Sequence, residues 1–139
     1  MIYHSINYNS VSLEFTFIKT GSMTNPLQVV FLYRSSILSL QAFKLIMNRE
    51  LLPHIETTMP LIIMGDFNLN VEENKQQSLD RFMENMCGCI NKSQGPTTDN
   101  GTTIDLVFSN IDNLNTFTVE CPWSDHKALF VTVENIKNL

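Results

Sequence analysis

Three short stretches of this sequence combine residue types that can handle protons and phosphate oxygens. The first is Leu61-Ile62-Ile63-Met64-Gly65-Asp66-Phe67-Asn68. Its apolar run reads as a buried strand that ends in a glycine, followed by a carboxylate and a carboxamide two residues apart. Side chains at i and i+2 point the same way while the chain stays extended. Asp66 and Asn68 can therefore converge on one point, the carboxylate to take a proton and the amide to donate a hydrogen bond to a phosphoryl oxygen. Strand ends are also where layered α/β proteins bind ligands, although the same residues taken alone are ordinary turn formers. The second stretch is Ser124-Asp125-His126-Lys127, just ahead of the apolar run Ala128 to Val133. An imidazole can act as a general acid or stabilise charge near neutral pH, once a partner fixes its other nitrogen; alone, His126 is as readily an exposed loop histidine. The third, Thr103 to Phe108, sets Asp105 inside an apolar strand. A buried carboxylate is costly unless bonded, so Asp105 needs a partner. The sharper expectation is that the partner is His126.

Strands and helices must position these groups. Val11, Leu13, Phe15 and Phe17 alternate with polar residues, the period of a strand with one buried face. Leu27 to Tyr33 is almost continuously apolar, as in a strand covered on both faces. Leu40, Phe43, Met47 and Leu51 recur at helical spacing, and Pro53 ends that helix near Leu51 or Leu52. A second helix carries Leu79, Phe82, Met83 and Met86 on one stripe, with Gly88 as its stop. Gly95 and Pro96 open a loop, and Asn100-Gly101 signals a turn. Thr102 to Phe108, Phe117 to Glu120 and Ala128 to Val133 read as further strands. The class is α/β or α+β, and the two amphipathic stripes put both helices on one face of a mixed or mostly antiparallel sheet.

Composition narrows the function classes. The chain has 139 residues, 43% of them hydrophobic and 17% charged, which suits one folded domain and argues against disorder. The net charge of -5 excludes gripping nucleic acid by bulk electrostatics; such contact needs a local basic patch or a bound metal. Cys87 and Cys89 stand one residue apart and Cys121 far away. That pattern points to free thiols in a reducing, intracellular compartment rather than to disulfides or a zinc site. No apolar run approaches the ~20 residues of a membrane span. Met1 leads straight into strand-like sequence, which reads as a fragment or a late start.

In this order, the GDFN, IDLVFSN and SDH segments resemble the C-terminal half of the endonuclease/exonuclease/phosphatase superfamily. Its members include deoxyribonuclease I, apurinic/apyrimidinic endonucleases, retrotransposon-encoded endonucleases and inositol polyphosphate 5-phosphatases. Val29 to Ser35 looks like the family strand that ends in an active-site tyrosine, and the Tyr33-Arg34 pair is similar to retrotransposon members. The resemblance runs from about Val11 to the end and is closest in flavour to the retroelement endonucleases. It implies part of a four-layer α/β sandwich of the deoxyribonuclease I type, a single partial domain over 1–139. It also implies metal-dependent phosphodiester hydrolysis on DNA or RNA with Mg²⁺ or Mn²⁺. Under it, Asp66 orients or deprotonates the attacking water, Asn68 holds a phosphoryl oxygen, and Asp105 fixes the ring of His126. His126 and Tyr33 contact the phosphate, and Asp125 lies on the metal side.

One section of the family pattern has no match here. Family members begin with a strand bearing an active-site Asn and a second strand whose Glu is the principal metal ligand. Glu14, in VSLEFTF, looks like the segment after that Glu and reads as a solvent-facing strand residue. The N-terminal strands are thus expected to lie outside this chain, as a separate half of the same domain. Two other readings stand beside an endonuclease: a phosphatase of the inositol-phosphate type, disfavoured by the scarcity of basic residues around the motifs, and a non-catalytic remnant.

Overall fold

The computed structural model describes all residues except Met23, 70–72, 94–104 and 134–139. The loop at Gly95-Pro96, the turn at Asn100-Gly101 and the start of the strand expected from Thr102 lie outside the described residues. Among the described residues, eight strands and two α-helices follow in chain order: β1 (Ile2–Asn9), β2 (Leu13–Gly21), β3 (Pro26–Arg34), α1 (Leu40–Ile46), β4 (Leu61–Asp66), α2 (Glu73–Cys87), β5 (Ile90–Asn91), β6 (Asp105–Ser109), β7 (Leu114–Val119) and β8 (Ala128–Val133). The first six strands form one sheet in the order β1-β2-β3-β4-β6-β5, and β7 and β8 form a separate hairpin. Only the β3–β4 pair is parallel, so the sheet is mixed.

One face of the sheet builds the main core. Alternation in β2 places Leu13, Phe15 and Phe17 there, and β3 adds Val30 and Leu32. Both helices lie on this face. Phe43, Met47 and Leu51 come from α1 and the wide π-helical turn that continues it, while Leu79, Met83 and Met86 come from α2. Ser39 starts α1 by accepting a hydrogen bond from the Ala42 N–H, satisfying one of the orphan donors of the first turn. Just past α2, Gly88 takes the left-handed conformation with φ 70°, as a helix stop requires.

The other face is covered only in part. Leu114, Leu129, Val131 and Val133 of the hairpin pack on Ile62, Met64, Val107 and Ile111, so β4 and β6 are enclosed on both sides. The strand β3 departs from the expectation of two covered faces: Phe31 is 50% exposed and Tyr33 45%. The hairpin is two strands wide, and it stops short of β1 to β3. Its outer surface exposes the stacked pair Phe117 and Phe130, whose ring centroids lie 5.3 Å apart.

Gly65 controls how β4 sits in the sheet. Its φ of 150° belongs to glycine, and a Cβ built on it would meet the Leu32 carbonyl oxygen at 1.8 Å. That oxygen belongs to the neighbouring strand and cannot step aside without disturbing the ladder. Gly65→Ala is expected to cost about 3 kcal/mol or more, as forced backbone shifts do at the upper end of overpacking. Gly88→Ala, with open space around its Cβ, should cost only about 1 kcal/mol for its left-handed backbone. Urea denaturation of both variants measures the contrast; equal losses would contradict the close approach at Gly65.

Candidate active site

The register of the sheet brings polar residues into one row. Glu14 stands opposite Tyr33, Tyr33 opposite Asp66, and Asp66 opposite Asp105. Paired residues share a face, so these side chains project from β2, β3, β4 and β6 on the partly covered side. They sit at the end of the sheet where β3 and β4 finish. The loop between β7 and β8 delivers His126 to the same place. Its Nδ1 lies 2.8 Å from Asp105 Oδ2, so the expected partnership is present. With Nδ1 bonded to the carboxylate, Nε2 is the ring nitrogen left to meet a substrate. The Ser124 Oγ accepts from the His126 backbone N–H at 3.1 Å, which fixes the loop beneath the ring.

Asp66 and Asn68 are held by each other and by Arg34. The Asn68 N–H donates to Asp66 Oδ1 at 2.9 Å, and the Asn68 side-chain amide donates to the Arg34 carbonyl at 2.7 Å. Asn68 keeps a left-handed backbone, φ 46°, a conformation that asparagine tolerates better than most residues. One hydrogen of its amide is thus engaged by the Arg34 carbonyl. Arg34 answers from below: Nη1 donates to the Phe67 carbonyl at 2.8 Å and Nη2 to the Leu38 carbonyl. Only 6% exposed, Arg34 is a brace for the loop after β4 rather than a surface charge beside a phosphate. Val30, Leu32 and Arg34 share strand parity, and that alternation is the signal in the sequence that places its side chain on the covered face.

Charge at the site is mutual. Burial raises the Asp66 pKa, the Asn68 N–H lowers it, and Asp105, His126 and Asp125 add smaller opposing pushes, with the net shift upward. For His126, burial pulls the pKa down. The bond and charge of Asp105, with the charges of Asp66 and Asp125, outweigh that, and the imidazole ends above its usual value. Asp125 is exposed and within electrostatic reach of both.

Ligand atoms of Asp66, Asp105 and His126 lie within 4.8 Å of one another, close enough to hold a divalent ion. The set is rich in carboxylate oxygen, as hard cations such as Mg²⁺ prefer. Asp125, expected on the metal side, stands outside that group, and its charge reaches the site. Glu14 is exposed, as expected, and borders a recess of about 520 Å³ with Asn7, Thr16, Phe31 and Tyr33 over the uncovered part of the sheet. Lys127 faces Glu120 at 3.6 Å. A second groove, about 690 Å³, lies between the two helices beside Lys44 and Arg81, on the opposite side of the sheet from this chemistry.

The sequence matches no protein-family model and no curated protein. Solved structures do match. The endonuclease domain of TRAS1, a telomere-specific non-LTR retrotransposon, superimposes with a TM-score of 0.71 at 18% identity, over 97% of this chain and 67% of that one. An endonuclease/exonuclease/phosphatase family protein from Leptotrichia buccalis gives 0.64 at 16% identity, over 97% and 62%. The human Nocturnin catalytic domain, solved with bound sulfate, gives 0.58 at 15% identity, over 95% and 60%. The chain therefore shares the deoxyribonuclease I-like fold of these structures, and spans 60–67% of their length.

The Asp105–His126 pair carries a titration signature. A raised folded pKa means that the pair's stabilisation is complete below the unfolded imidazole value. It is lost as pH rises through the folded one. NMR titration of the three histidines should find His126 above the usual imidazole value in the wild type and shifted downward in Asp105→Asn. An unchanged His126 titration in that variant would rule out the coupling.

Proposed function

We propose that this chain carries the proton-handling half of a metal-dependent phosphodiesterase site and that its substrate is a nucleic acid cut endonucleolytically. The observation that bears most weight is the 2.8 Å Asp105–His126 bond placed beside Asp66 at one end of the sheet. In this reading a water attacks phosphorus in line with the leaving oxygen. Asp66, its pKa raised by burial, is a better base than an ordinary carboxylate and takes the water's proton. The Asn68 amide and the Tyr33 hydroxyl donate to the non-bridging oxygens, and His126 Nε2–H donates to the phosphate as negative charge builds. Asp105 holds the ring for that task, in the manner of carboxylate–histidine pairs elsewhere. A bound divalent ion, held by carboxylates at this site with Asp125 on its flank, would supply Lewis-acid stabilisation.

A nucleic-acid substrate is favoured over small polyphosphorylated molecules by the scarcity of free cations. Arg34 is buried on backbone carbonyls, and Lys127 faces Glu120. A substrate carrying several phosphates needs several exposed basic groups. A phosphodiester with one phosphate in the site does not. The fold neighbours include one retrotransposon endonuclease, which supports the same choice.

In this reading the strands that bear the family's Asn and principal metal-binding Glu lie outside these 139 residues. Metal capture should accordingly be the weak step. Losing metal stabilisation removes several kcal/mol, and each ~1.4 kcal/mol is tenfold in rate. Plasmid nicking with Mg²⁺ or Mn²⁺ tests the reading. The chain alone is expected to nick weakly or not at all. Joining it to the corresponding strands of a retrotransposon endonuclease domain should raise the rate by several orders of magnitude, a gain abolished by Asp66→Ala or His126→Ala. Robust nicking by the chain alone, lost in both variants, would show a complete site with another ligand such as Glu14. A folded, joined protein without activity would overturn the proposal.

A further inference from the structure

We infer that Trp123 forms a nucleobase-stacking subsite at the rim of the phosphate site. The inference rests on the nucleic-acid reading above and extends it to a residue outside the motifs. Trp123 is the single tryptophan of the chain and is 86% exposed. Isolated exposed apolar residues are common, but an indole displayed to water beside a polar site is not, since tryptophan is large and highly buried on average.

The display is also built. Cys121-Pro122-Trp123-Ser124 closes a turn through the Ser124 N–H to the Cys121 carbonyl at 3.1 Å, and proline at the second position presets its backbone. Trp123 occupies the third position, at the tip. The next residue, Ser124, receives the His126 backbone N–H on its Oγ at 3.1 Å. The backbone that carries the indole is thus held three residues from the imidazole by two consecutive hydrogen-bonded links. At no more than ~3.6 Å per residue, its Cα lies within about 11 Å of that of His126, a span that one or two nucleotides bridge.

The loop stands at the end of the sheet, where the row Tyr33, Asp66 and Asp105 finishes. The surface that further strands of this fold would cover is the bare face over β1 to β3, around Phe31. The rim at Trp123 has to stay open for substrate to reach His126. With a net charge of -5, the chain gains little from bulk attraction to phosphates. An aromatic platform is the physically available alternative, because every base offers a π-face and stacking needs no basic residue. Tolerance of sequence follows from the same reason.

As the only indole, Trp123 reports on itself. Titrating the full chain at low ionic strength with a short fluorescein-labelled oligothymidylate gives binding by anisotropy. Unlabelled strand then gives stacking by quenching of tryptophan emission. A strand of the same length with abasic residues keeps the phosphates and removes the bases. We expect quenching by the oligothymidylate and none by the abasic strand. The abasic strand should bind roughly fivefold or more weakly, and Trp123→Ala should weaken oligothymidylate binding by a similar factor. Trp123→Phe should recover most of it. Binding without quenching, or equal affinity for the two strands, would overturn the subsite while leaving the nuclease reading in place. No anisotropy change with either strand would likewise overturn the subsite, and nicking by the joined protein then decides the nuclease reading separately. Circular dichroism of each variant separates a lost contact from a lost fold.

Discussion

The site depends on the register of β4 between β3 and β6. Strand side chains alternate between faces, so a slip of one residue would turn Asp66 into the helix-covered core and Gly65 outward. The same slip on β6 would exchange Asp105 for Leu106. Two features hold the register. Leu61, Ile63, Leu106 and Phe108 fill one core while Ile62 and Val107 fill the other, so a slipped strand would exchange the sets facing two differently shaped cores. Gly65, with no room for a Cβ against the Leu32 carbonyl, lets the strands approach one residue before the carboxylate appears. Position, rather than any special property of Asp66, then sets its chemistry. It is the first acidic group after an apolar strand, and desolvation at that depth raises its pKa.

A second constraint acts where β4 ends. A loop leaving a buried strand exposes carbonyls to a region with little water, and such groups must find donors. Arg34 supplies them from the neighbouring strand, while Asn68 returns a bond to the Arg34 carbonyl. The exchange is reciprocal, so neither the end of β3 nor the loop can move alone. Arginine suits this role because its planar fork reaches two carbonyls at once and keeps its charge when buried, even though burial lowers its pKa.

Much of this was legible in the sequence wherever one physical cause dominated. The enclosed strand Leu61–Asp66, the α2 stripe with its Gly88 stop, and the strand Ala128–Val133 each follow from apolar period and turn chemistry alone. The Asp105–His126 pair was legible because a carboxylate within an apolar strand must be bonded. Other features depend on what neighbours cover. The strand β1 reads as strand-like from Met1 onward, but its mixed polar and apolar residues at an open edge give no period that says which face is buried. The strand β7 begins at Leu114, earlier than its aromatic residues suggest, because Thr116 is buried by donating to the Lys92 carbonyl. The strand β3 has the composition of a doubly covered strand yet shows Phe31 and Tyr33 to solvent; composition records what a strand can bury, and coverage depends on partners beyond it. For Arg34, the one sequence signal of burial is its strand parity with Val30 and Leu32.

These two constraints separate the site into parts with different structural needs. Asp66, Asn68, Asp105 and Arg34 are positioned by β3, β4 and β6 together with the helix-side core, which is continuous from Leu13 to Phe108. His126 is positioned by the hairpin that the smaller core pins to β4 and β6. All of these are contained in the described residues and held by the packing of the two cores. Metal capture has a different requirement. A small hard cation wants near-octahedral oxygen ligands, hence donors arriving from more than one direction. The row Glu14–Tyr33–Asp66–Asp105 offers donors from one sheet face only, with Tyr33 standing between the two ends. A second wall over the recess at Asn7, Glu14 and Phe31 would supply the opposing direction and bury the exposed aromatic face in the same step. The recess and the exposed aromatic face thus share one uncovered part of the sheet, whereas the histidine is oriented by Asp105 and the hairpin.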